Sequence, residues 1–324
     1  MLQLVKETLG RIFYLLPPLP QNVQLEVTNL CNLSCGMCPR EELNIPFEHM
    51  PLDRAKAIID RLSGVQLLTL TGWGEPFLHP DIFTLIRYAK DKGFAVQLTT
   101  NGLFKDDAVI TKIVESGLDS ISFSVDSPED ALAWGHHNAK ALERIKQLLA
   151  ARKDRSPLVT LQATLHRGGE KEIEAIIRFC AEAGADRVNL GRLDTRFAPE
   201  LTRPTAEEES RILKRAAQQG RERGIRVDAI QHSIGGAPLE RRIYHLIKGL
   251  LHRGGKYCLK TYSYAYITTR GEVTPCCLLP NASMGNILET DLAVLWRSSK
   301  FKDFRESQKK ICGKCDLWQI EYYN

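Results

Sequence analysis

Strand-like and helix-like segments take turns along most of this 324-residue chain, and that alternation limits the fold more than any other feature. Runs rich in Val, Ile, Leu and Thr stand at 23–28 (VQLEVT), 67–72 (LLTLTG), 95–100 (AVQLTT), 120–127 (SISFSVDS), 158–165 (LVTLQATL), 187–193 (RVNLGRL) and 225–230 (IRVDAI). Between them lie stretches with apolar residues at helical spacing, such as HPDIFTLIRYAKDKG, KDDAVITKIVESG, HHNAKALERIKQLLAAR and EKEIEAIIRFCAEAG. Several of these close on a glycine suited to a helix C-cap. Repeated strand, helix, strand predicts an α/β fold with a mostly parallel sheet, right-handed crossovers and strands buried on both faces. Six or seven such units predict an open or closed barrel.

In sheets of this kind, ligands bind at the C-terminal ends of the strands. The polar residues that stand out fall there: Cys31 to Cys38 after the first run, GWGEP (72–76) after the second, TTNG with Asn101 after the third, SVDS at the fourth, and Arg192 with Asp194 at the sixth. Turn chemistry alone accounts for any one of Gly72, Gly74 and Gly102. Their coincidence on one rim points to a site.

The length suits one α/β barrel with a small appended module. At 43% hydrophobic and 26% charged, the chain has the composition of an ordinary globular protein, which excludes a disordered or low-complexity class. Its 44 Lys and Arg against 39 Asp and Glu leave a formal charge of +5, too mild and dispersed to predict a nucleic-acid partner. The opening MLQLVKETLGRIFYLLPPLP is apolar but broken by Lys6, Glu7, Arg11 and its prolines, so neither a signal segment nor an integral membrane segment is expected. Residues 1–20 read as an amphipathic helix packed on the domain, with loose membrane contact as the alternative. The expected location is cytoplasmic.

Nine cysteines, at 31, 35, 38, 180, 258, 276, 277, 312 and 315, are many for a reducing compartment unless thiolates hold metal. Cys180 sits alone in a helical pattern and is expected to be a packed core thiol. The other eight form two groups. In the first, C-x3-C-x2-C on a loop can direct three thiolates at one compact object; by composition this spacing is expected roughly 0.007 times in such a chain, so it is not accidental. A Zn²⁺ ion wants four ligands, and the next histidine is as far as His49. A [4Fe–4S] cluster held by three cysteines keeps one iron open for another ligand.

With these residues in view, CNLSCGMC resembles the C-x3-C-x-Φ-C signature of radical S-adenosylmethionine (radical SAM) enzymes, with Met37 in the apolar Φ place, where it would pack against the cofactor. The resemblance spans residues 20 to roughly 230 and implies a partial (β/α)6 TIM-like barrel over 21–230. It further implies that Cys31, Cys35 and Cys38 hold a [4Fe–4S] cluster whose open iron chelates S-adenosylmethionine. A reducing partner such as flavodoxin or ferredoxin would drive cleavage to a 5′-deoxyadenosyl radical, which abstracts a substrate hydrogen. GWGEP is similar to the family's Gly-Gly-Glu-Pro element, whose backbone pairs with the methionyl ammonium group. That makes Gly72, Gly74 and Glu75 cofactor-binding candidates, with Trp73 a departure from the pattern. SVDS resembles the strand-four segment that contacts the cofactor's ribose or carboxylate, which adds Ser124 and Asp126. For Asn101 and Gln162, cofactor contact and ordinary strand-end roles are both open.

Residues 231–256, with IGGAP and a basic helical stretch, read as a connector to a small module at 257–324. There YSYAYITTRGEVTPCC predicts a hairpin turning at Arg270 and Gly271, followed by the helix DLAVLWRSSKFKDFRES and then CGKC. The spacing Cys258-x12-Gly271-x4-Cys276 is similar to the opening of the SPASM extension of radical SAM enzymes, here in a truncated, twitch-like form that lacks the second cluster motif. One auxiliary [4Fe–4S] cluster is therefore expected, held by Cys258, Cys276, Cys312 and Cys315. Cys277 is the alternative to Cys276, because neighbours on a strand face opposite ways. Structural Zn²⁺ is the alternative to iron.

The expected activity is radical chemistry on a small molecule such as a sugar, nucleoside or natural-product intermediate. With only about twenty residues before the first strand, no leader-recognition domain is expected there. The alternatives are a maturase of a ribosomally made peptide served by a separate leader-binding partner, and a non-enzymatic electron carrier or zinc-stabilised binding protein. Arg192, Asp194, Arg196, His166, Tyr262 and Tyr264 are substrate-facing candidates, each with an ion-pair, loop or core role as the plainer reading. The residues single out no catalytic acid, base or radical relay, and the reaction type stays open among epimerisation, dehydrogenation and bond formation.

Overall fold

The computed structural model describes residues 19–104, 106, 108–126, 138–199, 201–229, 258, 261, 263–312 and 315. The expected N-terminal helix, connector and Tyr262 lie outside the described residues. Seven strands follow one another: β1 (Asn22–Leu25), β2 (Leu67–Thr69), β3 (Ala95–Thr100), β4 (Ser120–Ser124), β5 (Leu158–Leu165), β6 (Arg187–Arg192) and β7 (Arg226–Ala229). The helices after β1 to β6 are α1 (Leu52–Ile59), α2 (Ile82–Asp91), α3 (Ala108–Glu115), α4 (Asn138–Ala151), α5 (Glu170–Ala183) and α6 (Ala206–Glu222), of which α3 and α4 follow β3 and β4. The C-terminal part adds β8 (Tyr264–Ile267), β9 (Glu272–Thr274), β10 (Gly285–Asn286), α7 (Leu292–Trp296) and α8 (Ser299–Cys312).

The described strands form a single sheet in the order β10-β9-β8-β1-β2-β3-β4-β5-β6-β7. Strands β1 to β7 lie in chain order, each parallel to the next, as helical crossovers require. The sheet does not close, and the architecture is the expected partial α/β barrel. Local signals set the helix ends: Thr205 opens α6 through a reciprocal capping box with Glu208, and Gly184, at φ +77°, closes α5 in the left-handed conformation that favours glycine.

One expectation fails. The strands are not buried on both faces: Val23, Leu25, Leu68, Val96, Leu98, Ile121, Phe123, Val188 and Leu190 are at most 1% exposed and form one apolar core with the helices, whereas the alternate positions are polar and half-buried. Gln24, Thr69 and Gln97 pair across β1, β2 and β3, and Ser124, Gln162 and Asn189 pair across β4, β5 and β6. The even period of a strand puts each such row on one face. An open barrel too wide to be filled by its own side chains keeps that face polar, which suits a polar cofactor.

The C-terminal hairpin has the expected turn, with Gly271 at φ +85° donating its N–H to Thr268 O at 2.9 Å. It does not form a sheet of its own. Strand β8 pairs parallel with β1, and β9 and β10 follow antiparallel, so the sheet runs unbroken from barrel to module. Arg54 of α1 donates to Thr269 O at 3.0 Å and Arg270 pairs with Glu48, which pins the turn to α1 and the loop before it. No helix among the described residues is long and apolar enough to cross a membrane.

Candidate active site

The chain after β1 leaves the ladder and carries Cys31, Cys35 and Cys38, all half-buried and in no disulfide. A tight turn, with the Cys38 N–H donating to Cys35 O at 3.0 Å, brings the last two together. Burial first, then the neighbouring Cys38 and Cys31, push the Cys35 thiol up to about 12. Burial likewise raises Cys31 and Cys38. Thiols raised by burial, with Cys35 and Cys31 raised further by their neighbours, fit a positively charged iron centre, which would offset that cost and hold them as thiolates. Arg40, buried and donating to Leu33 O at 3.3 Å, adds a cation beside the loop. Sequence reasoning passed over it, although it stands two places after Cys38.

GWGEP locks onto this loop through backbone. The Glu75 N–H donates to Leu30 O at 2.9 Å, and a Cβ on Gly74 would lie 2.3 Å from that same oxygen and 2.7 Å from Asn29 C. Only glycine permits the approach. At Gly72 a Cβ would lie 2.3 Å from Glu26 Cγ. The Glu75 carboxylate, 3% exposed, accepts from Thr100 Oγ1 (2.8 Å), the Asn101 N–H (2.8 Å) and the Phe77 N–H (3.1 Å), so it clamps the end of β3 to this loop. Burial raises it to about 7. Asn101 completes the junction, reaching Cys31 Sγ at 3.9 Å and donating to Asn32 Oδ1 at 2.9 Å.

Asp126, buried, accepts the Thr164 N–H at 2.8 Å and lies near enough to Cys35 to oppose its ionisation. Ser124 stands on the polar face in register with Gln162. Met37 lines a cavity of about 220 Å³ together with Pro39, Trp73, Thr164, Arg192, Leu193, Asp194, Phe197, Cys277 and Leu278. This cavity joins the cysteine loop, GWGEP, the ends of β5 and β6, and the C-terminal hairpin. Arg192 makes a two-pronged pair with buried Glu209, at 2.7 and 2.9 Å, and Asp194 pairs with Arg196 at 2.5 Å. His166 and Tyr264 are not among the lining residues. Trp73, the departure from the family pattern, bridges the two halves: its N–H is held by Glu26 Oε1 at 3.1 Å and its indole Nε1 donates to Cys277 O at 3.0 Å.

In the second cysteine group, burial and then Cys258, Cys315 and Cys276 push the Cys312 thiol up to about 12. Cys258, Cys315 and Cys276 therefore lie near Cys312, whereas Cys277 lines the cavity and, together with Cys276, acts on Tyr264. Helix α8 supplies Cys312, and its Gln308, one turn earlier, accepts the Cys258 N–H at 2.9 Å. Arg305, 4% exposed, sits 4.4 Å from the Trp296 ring centroid and donates to Thr261 O at 3.1 Å, which fixes α8 against the module. Among the described residues no three His, Cys, Asp or Glu side chains gather closely enough to share one metal ion. Cys180 is a core thiol, 0% exposed, as expected.

An open α/β barrel with a three-cysteine loop at its strand ends, a cavity beside that loop and a second group of cysteines near the cavity defines the class of barrel protein that could carry metal clusters. The chain belongs to the radical SAM superfamily: that family's model matches residues 25–180, and the SPASM model, an iron–sulfur cluster-binding domain, matches residues 258–316. The first domain brings a [4Fe–4S] cluster and S-adenosylmethionine, and the second brings additional iron–sulfur clusters. The chain is 27% identical to the AdoMet-dependent heme synthase of Methanosarcina barkeri, over 93% of this chain and 90% of that protein. It is 24% identical to the PqqA peptide cyclase of Xanthomonas campestris, over 94% and 81%. Its fold matches Streptococcus suis SuiB bound to S-adenosylmethionine with a TM-score of 0.75 at 16% identity, over 99% of this chain and 76% of SuiB.

Proposed function

We propose that this radical SAM enzyme abstracts hydrogen from a small organic molecule seated in the cavity between the cysteine loop and the C-terminal hairpin. The observation that carries the reading is the cavity itself. At about 220 Å³ it is smaller than the roughly 300–1,000 Å³ of pockets for drug-sized ligands. Its charges are compensated from within, Arg192 by Glu209 and Asp194 by Arg196, and the rest of its wall is largely apolar. A compact, uncharged substrate suits such a lining, because a charged one would displace an ion pair already made.

In this reading Cys31, Cys35 and Cys38 would hold the cluster, which when bound would supply the electron for cleavage of S-adenosylmethionine. Met37, the backbone of GWGEP, Ser124 and Asp126 would bind and orient the cofactor. Cys258, Cys276, Cys312 and Cys315 hold one auxiliary cluster. A low-potential donor of the flavodoxin or ferredoxin class, in the cytoplasm, provides reducing equivalents.

The test feeds iron-loaded protein, S-adenosylmethionine and dithionite with two fractions of a cell extract, one of molecules below about 1 kDa freed of peptides and one of peptides. The small-molecule fraction is expected to raise 5′-deoxyadenosine formation about tenfold above the rate without substrate, since a seated substrate completes the reacting geometry. Stimulation by the peptide fraction alone would overturn the reading in favour of a peptide maturase.

A further inference from the structure

We propose that Cys277 is a catalytic thiol that returns a hydrogen atom to the substrate radical; the inference rests on the function proposed above and specifies its chemistry. Two cysteines stand side by side after β9, and the fold separates them. Cys276 joins Cys258, Cys312 and Cys315, whereas Cys277 lines the cavity. The backbone of Cys277 is fixed there by the indole of Trp73, 3.0 Å from its carbonyl oxygen. Its side chain hydrogen-bonds the Tyr264 hydroxyl. That hydroxyl donates to Gln24 Oε1 at 2.5 Å, and Gln24 is held in this orientation because its Nε2 donates to Thr71 O at 2.8 Å. Towards Cys277, Tyr264 is therefore an acceptor, and the thiol keeps its hydrogen.

A thiol S–H bond is weaker than an aliphatic C–H bond, so transfer of hydrogen from sulfur to a carbon radical runs downhill. The S–H bond breaks and a C–H bond forms; the substrate is reduced by one electron and the sulfur becomes a thiyl radical. One electron from the low-potential donor that serves the clusters, and one proton from solvent, restore the thiol. Abstraction followed by return leaves the substrate at its original oxidation level, as in epimerisation, with the new hydrogen drawn from an exchangeable pool.

The experiment needs no substrate. Iron-loaded protein freed of added thiols is incubated in D₂O with S-adenosylmethionine and dithionite, and the 5′-deoxyadenosine formed is weighed by mass spectrometry. Cys277 then carries an S–D bond; the 5′-deoxyadenosyl radical takes that deuterium, and dithionite with solvent restores the thiol. The wild-type chain is expected to give singly deuterated 5′-deoxyadenosine, and the deuterated fraction to fall about fivefold or more in Cys277→Ser, which keeps the side chain's size but offers a much stronger O–H bond. Two readouts stand apart from turnover. Iodoacetamide is expected to label Cys277 and spare Cys276 in the iron-loaded protein, and Cys277→Ser to retain its iron where Cys276→Ser loses about four irons. Equal deuterium in wild type and variant, or iron lost from Cys277→Ser, would overturn the inference while leaving the proposed function standing. Absence of 5′-deoxyadenosine from the wild-type chain would overturn both.

Discussion

Cys35→Ala is expected to reduce 5′-deoxyadenosine formation to the assay background and to remove about four irons per chain, the content of one [4Fe–4S] cluster. Cys35 feels both of its neighbours, since after burial the thiols of Cys38 and Cys31 are what raise it most. Its removal leaves two donors where the open-iron arrangement needs three. Because the side chain is half-buried on a loop and packs in no core, the fold itself should hardly notice: a change within about 0.5 kcal/mol in chemical denaturation of the iron-free chain is expected. Cys180→Ala supplies the contrast. That thiol lies wholly within the core, so its loss costs stability while iron content stays at the wild-type level. Iron analysis of anaerobically prepared protein, read beside the denaturation midpoints, separates the two kinds of cysteine. A Cys35→Ala chain with its full iron content would contradict the assignment.

Gly74→Ala should be the most damaging small substitution in the barrel. Its new methyl group would lie 2.3 Å from Leu30 O and 2.7 Å from Asn29 C, both backbone atoms with no flexible end to swing away. Either GWGEP or the cysteine loop must move, and the bond from the Glu75 N–H to Leu30 O goes with it. A cost of about 3 kcal/mol is expected from overpacking at this site. Displacement of the cysteine loop is also expected to weaken S-adenosylmethionine binding by about tenfold or more, as a lost contact of about 1.4 kcal/mol would. Gly93→Ala is the control, for Gly93 also has a constrained backbone, at φ +87°, yet nothing lies within 4 Å of its added methyl. It should cost about 1–2 kcal/mol of left-handed strain and leave cofactor binding unchanged. Equal binding in both variants would show that the close approach at Gly74 has no part in the site.

The sequence showed most of the barrel because its signals are local. AVQLTT and LVTLQATL are β3 and β5 to the residue, and the alternation that named them is the crossover topology itself. β1 and β4 end sooner than their apolar runs, at Leu25 and Ser124, since the composition of Glu26–Thr28 and Val125–Asp126 cannot report where backbone bonds leave the ladder for the rim. The three-cysteine loop and GWGEP were legible for the same reason. What stayed hidden depends on partners far apart in the chain. Glu26 looks like any strand residue, yet it is 1% exposed and holds the Trp73 N–H. Gln308 and Arg305 sit in an unremarkable polar helix, and only the fold brings one to the Cys258 N–H and the other to Thr261 O. Glu75 was visible as a motif residue, but that its carboxylate ties Thr100 and Asn101 together was not. The choice between Cys276 and Cys277 could be framed from strand geometry and needed the placement of Cys312 to be argued.

The most direct test of the account is product analysis of the wild-type chain, loaded with iron and sulfide under anaerobic conditions and given S-adenosylmethionine and dithionite. It should bind about eight irons per chain and convert S-adenosylmethionine to 5′-deoxyadenosine and methionine. A chain that binds its iron and forms no 5′-deoxyadenosine would contradict the account.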